Sequence, residues 1–102
     1  MEIYCKNTRL LQKAVEYSKK LGIESDPAII YIKRLPPSFD QEGLIEMPRE
    51  LDSEIYMNIW VKYNSERYIT LAHEMVHARQ VLRQQPIDEH EAYLLEKTLD
   101  NE

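Results

Sequence analysis

Residues 54–63 alternate with a period of two: Ile55, Met57, Ile59, Val61 and Tyr63 fall on one face, and Tyr56, Asn58, Trp60 and Lys62 on the other. A strand that is apolar on one side must lay that side against a second layer, and a chain of 102 residues has one modest core to offer it. The flanking sequence says what that layer is. Ser65 can cap a helix running from about Glu66 to Gln85, where Pro86 stops it, and Asp88 can cap a last helix reaching about Leu99. Upstream, Asn7 or Thr8 can cap a helix that Gly22 ends. Its Leu10, Leu11, Ala14, Val15, Ser18 and Leu21 form an apolar stripe, with Lys19 and Lys20 at the negative end of its dipole. Asp26-Pro27 breaks that pattern, a β-rich run follows from Ala28 to Leu35, and Pro36-Pro37-Ser38 reads as a loop. A short strand from Gly43 to Met47 ends at Pro48. The order helix, three strands, helix, helix, joined by short connections, predicts an α+β fold. It comprises an N-terminal helix, a small three-stranded, mainly antiparallel sheet and two C-terminal helices, in one domain over residues 1–102. Trp60 and Tyr56 are expected to pack under the first helix.

Charge and composition narrow the function. The net charge is −5 and no Lys/Arg run exceeds two residues, which argues against a nucleic-acid surface. The longest apolar runs, such as Ala28-Ile29-Ile30-Tyr31, are too short for a membrane span or a secretory segment. A single cysteine, Cys5, excludes an internal disulfide; it reads as a buried or half-buried thiol, and a cytoplasmic location is expected. Two glycines leave no phosphate-cradling loop.

The chemistry concentrates on the long helix, in His73-Glu74-Met75-Val76-His77. Histidines four apart project from one helix face and can converge on one metal ion, for which neutral imidazole is a preferred ligand of Zn²⁺. Glu74 lands about 100° around the helix from His73. There its carboxylate would stand beside a water at the ion rather than on the ion, as a general base for peptide hydrolysis requires. Ile69, Ala72, Val76 and Ala78 give the helix a buried side.

A hydrolytic zinc site takes a third protein ligand, and Asp88-Glu89-His90-Glu91 opens the last helix. Ala92, Leu95 and Leu99 lie on one side of Glu91 and Leu94 on the other, so Glu91 is read as pointing into the apolar stripe and as the third ligand. Glu89 is read as facing away with Tyr93, Glu96 and Asp100, and His90 as lying at the stripe's edge. His90, Glu89 or no third ligand remain alternatives, as does a capping box in which Glu91 reaches back to the Asp88 amide. Tyr63, Tyr68 and Tyr93 are candidate donors to a developing oxyanion, with Tyr93 turned away by the helix geometry. Arg79 reads as solvated.

His73-Glu74-Met75-Val76-His77-Ala78-Arg79-Gln80, followed by Glu89-His90-Glu91-Ala92-Tyr93, resembles the very small gluzincin-like zinc metallopeptidases called minigluzincins, with relatives in bacteriophage genomes. The resemblance implies His73, His77 and Glu91 as zinc ligands and Glu74 as the base. It also implies that the strand before the active-site helix, Glu54 to Tyr63, is a sheet edge along which an extended peptide substrate lies. In larger gluzincins an acidic residue four positions after the ligand glutamate supports a ligand histidine; Leu95 stands there in this chain, which leaves that support unassigned. Two further readings remain: a zinc-stabilised binding or regulatory module with little or no hydrolysis, and a SprT-like protease with His90 as the third ligand.

Overall fold

A computed structural model describes residues 1–46, 49–51 and 54–100, with the backbone alone described for 49–51. The elements run β1 (Glu2–Cys5), α1 (Thr8–Lys20), β2 (Ala28–Arg34), β3 (Gly43–Ile45), β4 (Arg49–Leu51), β5 (Glu54–Val61), α2 (Arg67–Leu82) and α3 (Glu89–Asp100). The α+β class is as the sequence predicts. Met47 and Pro48, assigned from sequence to the end of the short strand, lie outside the described residues.

The sheet differs from expectation in direction and in width. β1, β2 and β5 are parallel neighbours in that order, and only β3 and β4 run antiparallel, both on the far side of β5. The direction follows from connectivity. α1 carries the chain from β1 back to the start of β2, as a crossover must between parallel strands. β3 and β4 then return it so that β5 again runs with β2. β1 is four residues long, too short for a periodic signal, and it enters the sheet by pairing Glu2 with Ile29 through Cys5 with Ile32. β5 is therefore interior, flanked by β2 on one side and by β3 and β4 on the other, and the strand read from sequence as an edge has its backbone groups taken on both sides. Beside the C-terminal half of β5, the outer strand is β3.

All three helices share the core built on one sheet face. Met57, Ile59 and Val61 of β5 and Ile30 and Ile32 of β2 pack with Leu10, Ala14 and Tyr17 of α1, Leu71, Ala72, Met75 and Val76 of α2, and Ala92 and Leu99 of α3. Trp60 does not lie under α1. The alternation that buries Ile59 and Val61 turns it to the opposite face, where its Nε1 donates to Glu46 Oε1 at 2.5 Å and Lys33 Nζ sits 5.2 Å above its ring. On the same face Tyr4 and Tyr31 stack with centroids 5.3 Å apart.

Local signals place the helix ends. Asn7 caps α1 by accepting from Leu10 N, and Gly22, at φ +73°, ends it: Gly22 N bonds Lys19 O and Ile23 N bonds Ser18 O. Ser65 does not cap α2; Asn64 Oδ1 takes the Glu66 amide instead, at 2.9 Å. α2 ends with the same bonding pattern as α1, except that Gln84, at φ +56°, fills the left-handed position. Asp88 starts α3 as expected, its Oδ1 accepting from Glu91 N at 3.2 Å.

Candidate metal centre

α2 packs against α3, and the two histidines lie where they meet. His73 and His77, one turn apart, bring their Nε2 atoms within 3.2 Å of each other. The carboxylate that meets them is Glu89. Its Oε1 is 3.1 Å from His73 Nε2 and closer still to His77 Nε2. His73, His77 and Glu89 thus form a group that could hold a metal ion.

Glu91, the ligand expected from sequence, lies elsewhere. Its Oε1 accepts from Gln80 Nε2 at 2.9 Å and is 3.7 Å from Arg79 Nη2, so Arg79 has a carboxylate partner as well. At about 100° per residue, Glu89 and Glu96 flank one side of the Ala92–Leu99 line and Glu91 flanks the other. Leu94 and Leu95 drew the apolar stripe toward Glu91, but Leu94 is 60% exposed and the helix is rolled so that the Glu89 and Glu96 side meets α2. The largely buried Glu96 carboxylate is tolerable there because His73 receives it. Tyr93 rolls with that side: its ring meets the His73 ring edge-on, centroids 4.7 Å apart. His90 is exposed and outside the donor group.

Each imidazole is held on its other nitrogen. His73 Nδ1 is 3.2 Å from Glu96 Oε2, and His77 Nδ1 is 2.8 Å from Gln80 Oε1. A carboxylate and an amide oxygen are acceptors, so both Nδ1 atoms donate, and in the neutral rings both Nε2 atoms then turn lone pairs toward the Glu89 oxygen. In that state three electron-rich atoms lie within 4.8 Å of one another, an arrangement that could hold a cation. Zinc bonds of about 2.0–2.1 Å in tetrahedral geometry separate ligand atoms by about 3.3 Å; the 3.1 and 3.2 Å separations are close to that spacing, and the His77 Nε2–Glu89 Oε1 contact is shorter and would have to open to admit an ion. Two imidazoles and a carboxylate are a donor set that could hold a metal ion. Glu96 and Gln80 also supply the support that Leu95 could not. Their signals were in the sequence: Gln80 is three residues after His77 on its helix face, and Glu96 is two turns after Glu89.

Glu74 stands beside this group. It is 6% exposed, and burial pushes its carboxyl above the ordinary range; His77 and His73 pull it back, while Glu89 and Glu96 add to the rise. Together with His73, Glu89, Tyr93 and Glu96 it lines an open cleft of about 470 Å³, whose opposite wall is Gln41, Glu42 and Gly43 at the start of β3. Gly43 is where strand and helix come closest. A Cβ there would stand 2.6 Å from Thr70 Cγ2, 3.0 Å from Trp60 O and 3.5 Å from Glu74 Cγ. Tyr63 lies apart, its hydroxyl 3.9 Å from Cys5 Sγ, and Tyr68 lies beneath the Arg67 guanidinium, 4.9 Å from ring centroid to Cζ; neither is among the residues lining the cleft.

Compared with protein-family models, curated proteins and solved structures, the chain matches none of them. No helix among the described residues is long and apolar enough to cross a membrane.

Proposed function

We propose that this chain is a zinc-dependent peptidase that hydrolyses extended peptide segments. The observation that carries the reading is the convergence of His73 Nε2, His77 Nε2 and Glu89 Oε1, with Glu74 lining the same cleft. His73, His77 and Glu89 would hold the zinc ion, which when bound would supply Lewis acidity toward a substrate carbonyl and water. The work of the residues follows from their surroundings. Glu74, which lines the cleft and has its carboxyl raised by burial, accepts a proton at its carboxylate and returns it to the departing amine. β3 pairs with β5 along one edge and ends the described strand order, and its Gly43 lies in the cleft's far wall, so a peptide in the cleft can pair with β3's other edge as an added strand. Gly43, without a side chain, lets β3 approach Thr70 and Glu74 closely at this wall of the cleft. Tyr93, 59% exposed and lining the cleft, is the tyrosine available to a developing oxyanion.

Purified protein should bind one zinc per chain and cut unstructured peptides, and Glu74→Gln should abolish cutting with zinc still bound. Cutting that survives in that variant refutes the mechanism. A zinc-stabilised module without hydrolysis is favoured by one observation, the 57% exposure of the Glu89 side chain in an open cleft. Zinc-loaded protein that leaves a broad peptide library intact would decide for it.

A further inference from the structure

We propose that Gln80 is the positioning residue of the metal centre: one buried amide fixes the proton of His77 on Nδ1 and sets Glu89 at the imidazoles. The inference rests on the metal-centre reading for its second half, and its first half concerns the imidazole alone.

Gln80 is 1% exposed and all its hydrogen-bonding positions are used. Oε1 accepts from His77 Nδ1 at 2.8 Å and from the Asp88 amide at 3.0 Å; Nε2 donates to the Asp88 carbonyl at 3.0 Å and to Glu91 Oε1 at 2.9 Å. These partners determine which way the amide points. Reversed, Nε2 would face the Asp88 N–H while Oε1 faced a carbonyl and a carboxylate, leaving three of the four bonds as like against like. With Oε1 fixed toward His77, the imidazole must donate from Nδ1, and in the neutral ring Nε2 is left as a lone pair facing Glu89.

The same amide brackets the backbone of Asp88, taking its N–H and giving to its C=O. Asp88 is the residue before Glu89 and the cap of α3. A single side chain on α2 therefore sets the imidazole of one ligand and the Cα position of another. Glu91 enters the centre through this amide, as the acceptor that holds Nε2 in place.

Two measurements test the inference. Long-range ¹H–¹⁵N NMR of the zinc-free protein, at a pH where the ring is neutral, should show His77 protonated on Nδ1. Gln80→Met should abolish that preference. Zinc affinity by chelator competition should fall about 10- to 100-fold in folded Gln80→Met. Gln80→Glu combined with Glu91→Gln keeps an acceptor on His77 Nδ1 and a donor from position 91 but sets a carboxylate oxygen against the Asp88 carbonyl, so it should restore the Nδ1 preference while recovering only part of the zinc affinity. His77 protonated on Nε2 in the unaltered protein, or zinc affinity in folded Gln80→Met within about twofold of it, overturns the proposal; the NMR result stands even if Gln80→Met does not fold. Failure of the unaltered protein to bind zinc would instead overturn the metal-centre reading and leave the tautomer result intact.

Discussion

Glu89 and Glu91 are two residues apart, equally acidic and both near the α2–α3 junction, yet they meet different partners: Glu89 takes the imidazoles and Glu91 takes an amide and a guanidinium. Their substitutions should therefore separate. Glu89→Ala removes a donor atom and should weaken zinc binding by more than about 100-fold. Glu91→Ala removes only the group that holds Gln80 and should cost about tenfold. Chelator competition on the two purified variants reads the difference, and equal losses would mean that both carboxylates reach the ion. Glu96→Ala should fall between them, at about 10- to 100-fold, because His73 then loses the acceptor that holds its Nδ1 proton.

At the scale of elements, two close fits yield predictions of opposite sign. Gln84 occupies a left-handed position at the end of α2 that glycine fills at the end of α1. Gln84→Gly should stabilise the fold by up to about 1 kcal/mol, the relief of backbone strain being partly offset by the freer unfolded chain. Gly43→Ala should instead destabilise by about 1–3 kcal/mol, since its Cβ would overlap Thr70 Cγ2 and press on Trp60 O. Thr70→Ser in that background should return part of the loss. Denaturant unfolding measures both. The helices were readable because caps and stops are local: Asn7, Gly22, Asp88 and Pro86 act within a turn of themselves. The histidine pair was readable for the same reason. Strand direction was not, because it depends on where α1 and β3–β4 deliver the chain. The roll of α3 was also hidden, because Ala92 outweighs Leu94 only once α2 is beside it. In α1 likewise, Tyr17 is buried although it lay outside the expected stripe, and Val15 is 38% exposed.

For the whole molecule, the proposed zinc binding would be linked to folding. An ion bound only by the folded chain adds about 4 kcal/mol at a free concentration 1,000 times its dissociation constant. Thermal unfolding with zinc should therefore rise by many degrees over that with chelator, and the rise should vanish in Glu89→Ala. The rest of the stability is held between distant parts of the chain. Tyr17 Oη donates to Asp100 Oδ1 at 3.1 Å and Lys20 Nζ to the Leu99 carbonyl at 3.3 Å, so α1 grips the last turn of α3 while Gln80 grips the residue before its first. A bar clamped at both ends cannot tilt unless one clamp opens. Loosening the far grip, as in Tyr17→Phe, would then be felt some fifteen ångströms away as looser seating of the Glu89 carboxylate, which makes α3 a lever through which an event at the opposite end of the domain can reach the cleft.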